Sequence, residues 1–214
     1  MLTPAFYLTR LMDETPALSG MRADIQAAYD MLDACFRAGG KLLLCGNGGS
    51  AADCDHIVGE LMKGFLRKRP VPQAFQAHPA LAGEGALLQG ALLQGALPAL
   101  SLTWPVALGT AFANDVDASM AFAQQVYGYG QPGDVLWGIS TSGNAQNVCH
   151  AARVARAKGL RVLGMTGAQG GTLCALCDVA LRVPADQTYR IQELHLPLYH
   201  ALCAMLEAAF FAEE

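Results

Sequence analysis

Five short apolar runs, each bounded by glycine, proline or aspartate, constrain this chain more than any other feature. They are KLLLCG (41–46), ALSLT (99–103), DVLWGIS (134–140), LRVLGMTG (160–167) and DVALRVP (178–184). Their hydrophobicity is nearly continuous rather than alternating, as suits strands covered on both faces of a parallel sheet. Amphipathic stretches separate them, at 50–65, 117–130 and 144–159. The last stops at Gly159 after Arg156 and Lys158, a helix C-terminal signature. This alternation predicts a doubly wound α/β fold with ligands beyond the carboxyl ends of the strands. Residues 20–38 predict a leading helix, within a helical segment over about 1–38, and 188–212 a long closing one.

The 214 residues fit one α/β unit, and 53% hydrophobic residues supply ample core. No apolar run approaches the roughly 18 residues of a membrane span. The opening MLTPAFYLTRLMDETP lacks the basic-then-apolar order of a signal peptide. Net charge is −4, and the basic residues are scattered apart from KGFLRKRP at 63–70, which argues against nucleic-acid binding. Seven cysteines are an odd number, several in apolar settings, so free thiols in a reducing cytoplasm are expected. Cys174 and Cys177 form a lone C-x-x-C, for which helix packing is favoured over a metal or redox role. Residues 66–98 break the rhythm and predict an insertion with a short helix. It contains a direct repeat, ALLQG at 86–90 and again at 91–95, and its apolar content predicts packing against another surface.

Two turns carry chemistry. LLLCGNGGSAAD is strand, glycine-rich turn, then helix, and Ser50 opens a helix whose N-terminal amides favour an anion. It lacks the Lys-Ser/Thr pair of a Walker A loop and the glycine order of a dinucleotide fingerprint. GISTSGNAQN (138–147) repeats the arrangement with three consecutive hydroxyls, Ser140, Thr141 and Ser142. A helix cap needs only one hydroxyl, so the two turns predict convergence on one phosphate monoester. His56 and Glu60 follow the first turn four residues apart, on one helix face. That spacing serves either a surface ion pair or a shared cation.

GNGGSAAD…H…GEL, DVLWGISTSGNAQNV and RIQELHLPLYH together resemble the phosphoheptose isomerases of the sugar-isomerase (SIS) fold. The resemblance runs from about residue 20 to the C-terminus, apart from the insertion. It implies one SIS domain over 1–214, a three-layer α/β/α sandwich with a five-stranded parallel sheet, and a homotetramer. The implied reaction converts the ketose sedoheptulose 7-phosphate to D-glycero-D-manno-heptose 7-phosphate through an enediol. The resemblance puts Ser50, Ser140, Thr141 and Ser142 on the phosphate, near the Asn47, Gly48 and Gly49 backbone. Asp115 and Gln192 join the substrate site. His56, Glu60, Gln192 and His200 form a zinc set, and Glu60 and His200 the catalytic pair. His195 is read as structural.

The sequence departs from the family at Ala145, where a further phosphate-binding serine is usual, and at Pro197, which predicts a kinked helix. Asp115 is open to a second reading, as a helix-start cap. Eight residues of helix separate Gln192 from His200, about 12 Å. Either Gln192 precedes the helix or the two serve different subunits. The rival function is that of a non-catalytic SIS tetramer that binds the bacterial replication initiator and departs at the histidine matching His200. An isomerase or binder of another sugar phosphate is the third.

Overall fold

The computed structural model describes residues 2–82 and 92–211. Its strands are β1 (Leu42–Gly46), β2 (Ala99–Ser101), β3 (Val135–Ile139), β4 (Arg161–Thr166) and β5 (Val179–Arg182). Each lies inside one of the five apolar runs. All pair in parallel, in the order β2-β1-β3-β4-β5. Every residue of β1 and β3 is buried, which is why these runs show no polar alternation.

Two helical layers cover the sheet. One contains α1 (Pro4–Glu14), α2 (Arg22–Arg37) and α3 (Gly49–Met62). Single turns and edge helices follow as α4 (Gln73–Gln76), α5 (Val106–Asp115) and α6 (Ala121–Tyr129). The chain continues through α7 (Gln146–Ala157) and α8 (Gly171–Cys174) to the closing α9 (Thr188–Phe210). Leu42, Leu44, Val135 and Trp137 face the layer of α1, α2, α3 and α9. Leu43, Cys45 and Leu136 face the layer of α6 and α7, against Phe122, Val126 and Val148. The predicted three-layer architecture is present.

Two features mark the closing helix. It runs without a break through Pro197. Its broad apolar circumference is also satisfied within the chain, because α1, α2 and α3 pack around it and Leu198, Leu202 and Leu206 are buried. The unpartnered apolar face lies elsewhere: α5 has no buried residue, and Trp104, Val106 and Val116 around it are 72%, 72% and 68% exposed.

In the insertion the described helical pieces are α4 and a 3₁₀ turn at Pro79–Leu81. The repeat at 86–95 lies largely outside the described residues. Among the described residues no helix is long and apolar enough to cross a membrane.

Candidate active site

The loops after β1 and β3 sit side by side, because these strands pair with Gly46 opposite Ile139. Chain order reverses here, β2 lying on one side of β1 and β3 on the other, the switch point where open α/β sheets bind ligands. Asn47 and Asn147 tie the loops together by exchanging two amide hydrogen bonds of 2.9 Å each. Gly48 adopts φ +56° with ψ −121°, a backbone that side chains resist. Gly49 is pressed against the Gln192 amide of α9, and a Cβ there would displace the end of that side chain. Glycine is therefore required in this turn by geometry.

In the second loop, Gly143 N–H donates to the Ser140 carbonyl at 2.9 Å and Asn144 N–H to the Ser142 hydroxyl at 3.1 Å. Asn144 Oδ1 in turn accepts from Thr172 N–H at 2.9 Å. The predicted hydroxyls divide into two groups. Thr141 and Ser142 line a cleft of about 270 Å³ that also meets Asn144, Gln169 and Asp186. Ser50 and Ser140 are buried, and the Ser140 hydroxyl accepts from Ala145 N–H at 3.4 Å. Gln169 and Asp186, joined by a 3.3 Å hydrogen bond, escaped the sequence reading. Their only signal was their place after β4 and β5, at the ligand-binding end of the sheet.

Below the turn, α3 and α9 bring His56, Glu60 and His200 together. His56 Nε2 lies 3.2 Å from Glu60 Oε1, and the His56 and His200 rings meet edge to face at 4.9 Å. Glu60 Oε2 and His200 Nε2 are both buried without a hydrogen-bond partner, a costly state unless something else engages them. Burial, with the charge of His56 adding to it, holds the His200 pKa below the ordinary histidine value. His200 also faces a groove of about 240 Å³ beside Arg10, Glu14 and Phe65.

No set of three or more His, Cys, Asp or Glu side chains among the described residues is arranged as a finished metal cage. The donor chemistry of His56 and Glu60 nevertheless fits a divalent cation, since two ligands about 2.1 Å from one ion lie roughly 3.0–3.5 Å apart. Gln192 is inside α9, which excludes the reading that it precedes the helix. Its amide packs on Gly49, and about 12 Å of helix separate it from His200. In a single chain Gln192 thus belongs with the glycine turn. Asp115 stands apart as well: it is exposed at the end of α5 and accepts a 2.7 Å hydrogen bond from Asn114. It ends a helix rather than starting one, and the cap at the next start is Asp117, which accepts from Ser119 N–H at 2.8 Å.

Two buried polar groups frame the site. Arg69 and Glu207, each about 1% exposed, pair at 2.8 Å. Arg69 also donates to the Glu60 and Leu61 carbonyls at 2.9 and 2.8 Å, and Glu207 accepts from Phe65 and Leu66 N–H at 2.9 and 2.8 Å. The pair clamps the end of α3, which carries Glu60, to α9, which carries His200. His195 is fully buried, as its structural reading required, and its Nε2–H donates to the Thr166 carbonyl at 3.3 Å.

Burial pushes the His195 pKa down to about 4. Because the unfolded chain takes up a proton near pH 6.5 and the folded one does not, stability is flat above that pH and falls between 6.5 and 4. The expected loss is roughly 3 kcal/mol. His195→Gln, which keeps a donor without titrating, should flatten urea midpoints over that range. Equal acid sensitivity in the variant would remove His195 as the cause.

Similarity to known proteins agrees with this geometry. The profile of the SIS domain family matches residues 8–167. The phosphoheptose isomerase of Rhodospirillum rubrum is 38% identical over 207 residues, covering 97% of this chain and 93% of its own. The chain belongs to the phosphoheptose isomerase family. The Roseiflexus phosphoheptose isomerase is 42% identical over 178 residues, covering 83% of this chain and 78% of its own. Among solved structures, the phosphoheptose isomerase of Neisseria gonorrhoeae superposes with a TM-score of 0.73 at 33% identity, covering 94% of this chain and 93% of its own. The family's fold thus extends over nearly the whole chain, including α9, which lies beyond the profile match.

Proposed function

We propose that the protein is an aldose–ketose isomerase that converts sedoheptulose 7-phosphate to D-glycero-D-manno-heptose 7-phosphate. One observation carries the reading: on the helices that meet at the glycine turn, Glu60 and His200 each hold a buried polar atom without a hydrogen-bond partner, in one cluster with His56. The scaffold alternative departs at the histidine matching His200, which is present here, so it lacks support.

The phosphate is held by Thr141 and Ser142, with the Gly48 and Gly49 amides at the start of α3 and the buried Ser50 and Ser140 shaping the loops. Asn47, Gln192 and Asp115 complete the substrate contacts in this reading. His56, Glu60, Gln192 and His200 would hold zinc, with Gln192 or Asp115 reaching a site shared between subunits. When bound, the ion polarises the substrate's carbonyl and adjacent hydroxyl oxygens. Glu60 offers two distinct oxygens: Oε1 faces His56, while Oε2 has no hydrogen-bond partner, with Lys63 Nζ 3.8 Å away, and serves as the base that moves the proton between carbons 1 and 2. His200, kept neutral by burial, relays the hydroxyl proton as the enediol forms and collapses. In heavy water the protein should place deuterium at carbon 1 of the ketose phosphate. Absence of exchange with every ketose phosphate, at full zinc loading, would overturn the reading.

The working unit in this proposal is a cytoplasmic homotetramer. Support for assembly comes from the exposed apolar face around α5 and Trp104. Light scattering should give a mass near four chains at micromolar concentration, and Val106→Glu should lower it. A wild type that stays monomeric would refute the shared site.

A further inference from the structure

Tyr199 links two residues that no sequence signal joined to it. Its hydroxyl lies 2.9 Å from His56 Nδ1 and 3.3 Å from Asp53 Oδ1, and its ring is 1% exposed. An ionised carboxylate only accepts hydrogen bonds. When the Tyr199 O–H donates to Asp53, its oxygen lone pair is left to accept from His56. In that arrangement His56 carries its proton on Nδ1, which turns the bare Nε2 lone pair toward Glu60 Oε1 at 3.2 Å. Two lone pairs facing each other at that distance repel unless a cation lies between them.

We propose that Tyr199, backed by Asp53, is a positioning residue that fixes the ring tautomer of His56 and so presets the His56–Glu60 pair to grip a divalent cation. The chain Asp53–Tyr199–His56 is the outer-shell arrangement that orients a ligating imidazole, with a phenol inserted between carboxylate and ring. Its use rests on the metal reading above, and the test separates the two. Tyr199 also precedes His200 in the helix and meets its ring at 4.9 Å, so one turn of α9 supplies both the ligand and the device that orients its neighbour.

The test is nitrogen-15 NMR of histidine side chains in the chelator-stripped full chain at mildly alkaline pH, with His56 assigned by its loss in His56→Gln. The wild type is expected to show the Nδ1–H tautomer. Tyr199→Phe should shift the ratio toward Nε2–H, donated to Glu60, by on the order of tenfold, the worth of one hydrogen bond. Asp53→Asn keeps the phenol's packing and frees its O–H, and should shift the ratio the same way by less. Titration against a chromophoric chelator should show zinc affinity falling roughly 10- to 100-fold in Tyr199→Phe. An Nε2–H tautomer in the wild type, or an unchanged ratio in both variants, overturns the proposal. A shifted tautomer in a protein that binds no zinc upholds the orienting role of Tyr199 and refutes the metal reading instead.

Discussion

Glu60→Gln and His200→Asn should each slow isomerisation by roughly 10²- to 10⁴-fold, the usual loss when a general acid or base is removed. Sugar-phosphate binding should remain nearly intact, because in the proposed mechanism the loops after β1 and β3 hold the phosphate, whereas these two side chains act on the carbons being interconverted. Ser142→Ala supplies the contrast. Ser142 lines the open cleft, and in the proposed mechanism its hydroxyl meets the phosphate in ground and transition states alike, so KM should rise by roughly fivefold with kcat little changed. Deuterium uptake at carbon 1 measures the first pair, and steady-state kinetics the second. If wild type and both variants exchange at equal rates, Glu60 and His200 are not the catalytic pair. The unpartnered Glu60 Oε2 and His200 Nε2 would then need another explanation.

Arg69→Met should cost about 3–5 kcal/mol of stability, because it leaves the Glu207 carboxylate buried without its counter-charge. For a chain of this size that lowers Tm by roughly 10 °C. Glu207→Leu should be about as damaging, since it strands a guanidinium that is 1% exposed. Combining Arg69→Met with Glu207→Leu should recover most of the loss, as an apolar pair of similar volume often replaces a buried ion pair at little cost. Recovery of the fold need not restore catalysis. Arg69 also holds the Glu60 and Leu61 carbonyls at the end of α3, so the double variant should fold with isomerisation still impaired. Differential scanning calorimetry beside exchange kinetics resolves the two effects. Strictly additive single-variant losses would show that the ion pair is not a coupled unit.

Much of this was legible in the sequence, and the reason is physical. A strand buried on both faces carries few polar residues, so the five strands announce themselves as unbroken apolar runs, and glycine and hydroxyl content marks the turns between strand and helix. His56 and Glu60 were legible because a helix puts positions four apart on one face. The tertiary structure alone decided what depends on distant packing. Arg69 lay in a run that reads as a surface basic cluster, yet Glu207, 138 residues away, draws it into the core. The apolar breadth of α9 requires burial, and α1, α2 and α3 supply much of it, while α5, which has no clear helical periodicity, is left bare. Periodicity reports that a face must be buried and says nothing about which surface buries it. Likewise only the crossing of α3 and α9 sets Gln192 on Gly49, His200 beside His56, and the Tyr199 hydroxyl between Asp53 and His56. Hydrogen bonds between elements far apart in sequence have no local signature, because the residue types that make them are equally suited to solvent.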